Sequence, residues 1–150
     1  MGFTLPYWIV RAEHADGSSA FSEPIGLVII GAGLWLIGLG LLIATVRMFI
    51  LIGRGTIMPW DPTRKLITGS LYGYVRNPMI LGVLILQIGA AVMCASRGVA
   101  GLTVIFFVVN TVYFIYSEEP GLAKRFGAEY VEYKQHVPRW LPRLKPWRPG

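Results

Sequence analysis

Three stretches of the chain run long without a charged side chain. They extend from Pro24 to Val46, from Asn77 to Ser96 and from Gly98 to Ser117, and their boundaries are Glu23, Arg47, Arg76, Arg97 and Glu118. The first holds 23 residues and the others 20 each. About 20 apolar residues of helix cross the hydrocarbon core of a bilayer. The pattern predicts three transmembrane helices, over about 24–52, 77–96 and 98–117. The first continues past Arg47 through Met48–Gly53, with the guanidinium reaching back to the headgroups. Only Ser96–Gly98 separates the second from the third, which makes those two a tight antiparallel hairpin.

After Glu118 the pattern changes. Leu122, Phe126, Tyr130 and Tyr133 recur at helical spacing with charges between them, which predicts an amphipathic helix at the membrane interface after Pro120. The last stretch, VPRWLPRLKPWRPG, carries four prolines and two tryptophans and reads as an extended basic-aromatic strap on the membrane surface. The expected fold is an all-α integral membrane protein, one domain over 1–150, with a cytoplasmic tail from 118.

Composition sharpens this picture. Apolar residues make up 54% and charged residues 15%, too few charges for an ordinary soluble domain. The net charge is +6, yet the cations sit at the edges of apolar runs, which points to a lipid surface and away from nucleic acid. The segment from Arg47 to Arg76 has five basic residues and one acid, and the tail after Tyr116 has seven basic residues. The positive-inside rule puts both in the cytoplasm and the N-terminus outside; the expected membrane is the plasma (inner) membrane of a prokaryote. The lone Cys94 excludes a disulfide framework, and His14 and His136 are too far apart to predict a metal site.

Glycines recur by seven: Gly26, Gly33 and Gly40; Gly31 and Gly38; Gly82 and Gly89 with Ser96. Small residues on one face let helices approach closely in lipid, and these stripes also allow a homodimer. The run GAGLWLIG lacks the preceding strand and the third glycine of a dinucleotide fingerprint. Gln87 and Asn110, inside the second and third spans, are expected to hydrogen-bond neighbouring helices.

The chemistry gathers at RNP. Asn77 is a good N-cap and Pro78 suits the first turn, so the second span opens there with free N–H groups beside Arg76. Arg76 and Glu118 stand 21 residues to either side of Arg97. A hairpin folded at Arg97 returns them to one depth, where a cationic helix mouth faces Glu118 and Glu119. A zwitterion with an apolar body fits such a site; a plain salt bridge or a pair of interfacial anchors fits it too.

GSLYGYVRNPMILG, followed by an apolar hairpin and then SEEPGLAKRFGAEYVEYKQHVPRWLP, resembles the isoprenylcysteine carboxyl methyltransferase family in its broad prokaryotic branch. Phospholipid N-methyltransferases look related in the same region. The resemblance implies an integral membrane methyltransferase that uses S-adenosylmethionine (SAM), held between the cytoplasmic ends of the last two spans. Carried onto this chain, it assigns cofactor contacts to Arg64, Lys65, Leu66, Ile67, Tyr72, Asn77, Pro78, Met79, Ile80 and Glu118. Asn77 replaces the family's usual His, and Ile80 stands where Tyr is frequent. Phe114 occupies the position of an Arg associated with the substrate's carboxylate, which leaves the methyl acceptor open.

In this reading Arg76, Glu118 and Glu119 carry the catalytic roles, and either acid takes a proton from an amine or thiol acceptor. The acceptor is lipophilic or small and reaches the site from the bilayer. Two other readings stand beside it. One is an NADPH-dependent membrane reductase of the sterol reductase type, which ends in a similar hairpin and tail. The other is a non-enzymatic membrane adaptor.

Overall fold

The computed structural model describes residues 4–13, 24–53, 66 and 68–148. Among them every regular element is helical. The elements are α1 (Thr4–Glu13), α2 (Ile25–Gly53), a 3₁₀ turn (Ser70–Gly73), α3 (Pro78–Met93), α4 (Arg97–Tyr113), a π turn (Phe114–Glu118), α5 (Glu119–Phe126) and α6 (Ala128–His136). They divide into two compact units, Met1–Gly40 with Gly82–Thr111, and Leu41–Leu81 with Val112–Gly150.

Among the described residues, two helical stretches are long and apolar enough to cross a membrane: Ile25–Met48 within α2, and Arg97–Phe126, which runs from α4 through the π turn into α5. At about 1.5 Å per residue, the 24 residues of the first reach about 36 Å, more than the hydrocarbon thickness of about 30 Å. Ile29, Ile30, Leu36, Ile37, Val104, Ile105 and Val109 are exposed along these helices, an apolar surface suited to lipid. α3 is shorter than the 77–96 expectation, with 16 residues, because it stops at Met93.

That stop has a specific form. Ala95 takes the left-handed conformation (φ 46°), Ser96 N–H donates to the Ala91 carbonyl, and Ala95 N–H donates to that of Val92. This is a Schellman closure. Ser96 then caps α4, its Oγ accepting the Val99 N–H at 3.1 Å. The break between the two helices therefore falls at Cys94–Ser96, and Arg97 is already helical.

In the first unit, α2 and α3 meet through glycines. A Cβ on Gly31 would lie 2.5 Å from the Met93 nitrogen, and one on Gly89 would lie 2.5 Å from that of Trp35. One on Gly38 would collide with the Leu86 backbone. Ascending α2 positions meet descending α3 positions, so the two helices run antiparallel. The second stripe, Gly26, Gly33 and Gly40, meets nothing within 4 Å. Polar side chains in the spans return to their own helix: Thr103 Oγ1 donates to the Val99 carbonyl, and Asn110 Nδ2 to that of Phe106. Asn110 thus bonds within α4 rather than to a neighbour, and the buried Gln87 Oε1 has no partner among the described residues.

In the second unit the expected single amphipathic helix is two helices, split at Gly127 (φ 56°). α5 continues the preceding helix without a break. Pro120 has no N–H to offer, and its ring crowds the carbonyl of Tyr116, inside the π turn. Tyr130, Tyr133 and Val137 form the core, covered by Leu66, Leu122, Phe126 and Trp147. The strap lies along residues 73–76: Arg76 N–H donates to the Pro138 carbonyl, Arg143 N–H to that of Tyr74, and Trp147 N–H to that of Gly73.

The two glycine stripes make opposite predictions. Gly38→Ala should destabilise the protein in detergent by about 1–3 kcal/mol, because the backbones must part. Gly33→Ala should leave stability unchanged or raise it by up to about 1 kcal/mol, since it adds a good helix former in open space. Equal effects in thermal unfolding would refute this packing.

Candidate functional site

Four chain segments of the second unit meet at one carboxylate. Glu119, at the start of α5, has a side chain only 7% exposed. Its Oε1 accepts from Arg76 NH1 at 2.9 Å, and from Arg139 Nε at 2.7 Å and NH2 at 2.6 Å. Its Oε2 pairs with Lys134 Nζ at 2.7 Å. Arg76 precedes α3, Lys134 lies on α6 and Arg139 opens the strap. One acid among three cations leaves a net positive node, and the buried Arg76 Nε has no partner among the described residues.

Beside this node is a cavity of about 130 Å³. Arg76, Asn77, Phe114, Glu118 and Glu119 line it. Leu66, Tyr72, Leu122, Tyr130 and Tyr133 complete it. Asn77 sits immediately before α3 and its carbonyl accepts the Leu81 N–H at 3.0 Å, so the helix opens at the cavity with Pro78 as its first residue. Glu118, the last residue of the π turn, has no ion pair among the described residues.

The phenols around the cavity are held neutral. Burial, and then the charge of Glu118, push Tyr72 up to about 12. Burial raises Tyr133 further, with Tyr72 adding to it, and burial and Glu119 raise Tyr130. Tyr133 donates its hydroxyl hydrogen to the Tyr72 carbonyl at 2.8 Å, which ties α6 to the 3₁₀ turn. These hydroxyls act as donors and not as bases.

The structure brings together many of the residues expected from sequence. Leu66, Tyr72, Arg76, Asn77, Glu118 and Glu119 all line the cavity. Pro78 is fully buried, and Met79 and Ile80 are half-buried; none of the three lines it. Arg64, Lys65 and Ile67 lie outside the described residues. Arg76 and Glu118, expected at one depth, both line the cavity, and the ion pair of Arg76 is with Glu119. Glu119, engaged on both oxygens, is a strut and a poor proton acceptor, which leaves Glu118 as the available carboxylate.

Sequence reasoning missed Lys134 and Arg139 as partners of Glu119, and Leu122, Tyr130 and Tyr133 as cavity walls. The spacing of the last three marked a buried face but not what that face lines.

Residues 28–129 match the family described as phospholipid methyltransferase. The chain is 35% identical over 94 residues to "Methanethiol S-methyltransferase 2" of Bradyrhizobium diazoefficiens, covering 61% of this chain and 33% of that protein. It is 37% identical over 86 residues to "Protein-S-isoprenylcysteine O-methyltransferase" of Homo sapiens, covering 55% and 29%. Against "Protein-S-isoprenylcysteine O-methyltransferase B" of Arabidopsis thaliana it is 37% identical over 82 residues, covering 52% and 40%. The matched part thus spans well under half of these relatives' lengths. No solved structure matches the chain.

Removing the strut has a measurable cost. Glu119→Gln should destabilise the protein by about 3–5 kcal/mol, since it strands buried cations. Lys134→Ala removes the half-exposed partner and should cost no more than about 1 kcal/mol. Denaturant unfolding in detergent checks both, and a Glu119→Gln variant as stable as the parent would refute the node.

Proposed function

The chain belongs to the phospholipid methyltransferase family, and from that premise we propose that it is a membrane methyltransferase. In this proposal it takes a methyl group from SAM and passes it to a lipophilic or small acceptor at the cytoplasmic membrane face. The observation that carries the proposal is one cavity lined both by Glu118, which has no ion pair among the described residues, and by Arg76 and Asn77 at the mouth of α3.

The residues present fit the amino-acid end of such a donor. Arg76, with its orphaned buried Nε, and the N–H groups opening α3 suit a carboxylate. Glu118 suits an ammonium or a sulfonium. A cavity of about 130 Å³ is smaller than the roughly 300–1,000 Å³ of whole-ligand sites, so it takes part of the donor. Further contacts are proposed for Arg64, Lys65, Leu66, Ile67, Met79 and Ile80. When bound, SAM supplies a methyl group already activated by its sulfonium.

The chain's own work is then positioning and charge control. Glu119 fixes Arg76. Tyr72, Tyr130 and Tyr133 wall the cavity as neutral groups and keep water out. For a thiol or amine acceptor, Glu118 takes the proton released when the new bond to carbon forms. Phe114 packs edge-on against Trp140, with ring centroids 5.9 Å apart, and brings no cation to the wall. With Arg76 assigned to the donor's carboxylate and no cation at Phe114, an uncharged acceptor such as a small thiol suits the site better than a second carboxylate.

The proposal includes three membrane passes by α2, α3 and α4, with the N-terminus outside and α5, α6 and the strap in the cytoplasm of a prokaryotic inner membrane. α3, at about 24 Å, then needs its flanking turns in the headgroup region. The open Gly26, Gly33 and Gly40 face is available to a second copy. The family match argues against the reductase and adaptor readings.

Titrating SAM and NADPH against purified protein tests the proposal. SAM should bind, and Glu118→Gln should weaken it roughly 10- to 100-fold, the range for a lost hydrogen bond to a charged group. Binding of NADPH without SAM, or unchanged SAM affinity in the variant, would contradict it.

A further inference from the structure

The strap leaves two leucines uncovered on a firmly held backbone. Leu141 is 79% exposed and Leu144 is 100% exposed. They are not on a loose end. Hydrogen bonds from Arg76 N–H to Pro138, from Arg143 N–H to Tyr74 and from Trp147 N–H to Gly73 pin the segment on both sides of them. Its tryptophans turn inward: Trp140 packs on Phe114, and Trp147 stacks on His136 with centroids 5.6 Å apart. The segment thus has an inner aromatic side and an outer side that presents Leu141, Leu144, Lys145 and Arg148.

The charge on that segment has one sign. Residues 137–148 carry Arg139, Arg143, Lys145 and Arg148 and no acid. Arg139 is committed to Glu119, and Arg143 to the His136 carbonyl. Lys145 and Arg148 are exposed. Apolar side chains flanked by cations match an anionic lipid leaflet, where hydrocarbon lies just beneath negative headgroups.

Position agrees with that partner. Trp140 touches Phe114, the first residue of the π turn in the apolar helical stretch that runs on into α5. Tyr113 and Tyr116, on either side of it, are 53% and 78% exposed, as an interfacial aromatic belt would be. The strap therefore joins the helix beside exposed aromatic side chains.

We propose that the outer side of the strap docks on the anionic inner leaflet, with Leu141 and Leu144 inserted below the headgroups and Lys145 and Arg148 paired with lipid phosphates. This surface is separate from the cavity and does not depend on methyl transfer.

The test places a fluorescent NBD label on Leu144→Cys in a Cys94→Ser background. A second label, on Gln135→Cys at an exposed position of α6, serves as reference. The protein is reconstituted at one copy per nanodisc, with phosphatidylcholine alone or mixed with phosphatidylglycerol, and with spin-labelled lipids as quenchers. The Leu144 label should show a blue-shifted emission and a larger loss of fluorescence to the lipid quenchers than the Gln135 label. Lys145→Glu with Arg148→Glu should reduce that loss in discs containing phosphatidylglycerol. Quenching equal to that of the Gln135 label would overturn the insertion. Quenching indifferent to the charge reversal would overturn the pairing with anionic lipid. A blue shift seen only in discs holding two copies would assign the surface to self-association instead.

Discussion

A buried carboxylate that holds three cations is the constraint around which the second unit is arranged. Burying Glu119 alone would be costly, because a desolvated charge loses its water without return. Arg76, Lys134 and Arg139 replace that water, and each arrives from a different part of the chain. The segment before α3, the helix α6 and the strap therefore cannot leave α5 without stranding a charge. The same arrangement fixes what the neighbouring cavity offers. Arg76 is presented at a set position, Glu119 is occupied, and Glu118 is the carboxylate left facing the space.

A second constraint shapes the first unit. In lipid there is no hydrophobic force between apolar helices, so close backbone contact must hold them. Gly31 and Gly38 on α2, with Gly82 and Gly89 on α3, let the backbones touch. Threonine and asparagine side chains in the spans meet their hydrogen-bonding needs on their own helix, which suits a surface facing hydrocarbon.

Much of this was legible in the sequence. The uncharged runs marked the helices, RNP marked where α3 opens, and counting outward from Arg97 brought Arg76 to the acidic pair. The count could not divide the roles of the two acids, for two local reasons. The helix break falls at Cys94–Ser96, and a π turn over Phe114–Glu118 comes just before Glu119. Neither follows from hydropathy, which cannot see an Ala in a left-handed conformation or one extra residue in a helical turn. The roles of Lys134 and Arg139 were hidden for a similar reason: charges at the edge of an amphipathic helix look solvated until a tertiary partner is known. The glycine stripes were equally visible, but spacing alone did not tell the packed one from the open one.

The functional proposal draws on these parts together: a helix mouth with a fixed cation, one available acid, neutral phenols and a wall without a second cation. All of them presuppose that Arg76 and Glu119 are coupled. A double-mutant cycle on Arg76→Gln and Glu119→Gln, read by unfolding free energy in detergent, measures that directly. A coupling of about 1–3 kcal/mol is expected, since Glu119→Gln strands the buried Arg76 and Arg76→Gln takes one of three cations from Glu119. Strictly additive effects would mean that the two side chains do not meet, and the site as described here would not exist.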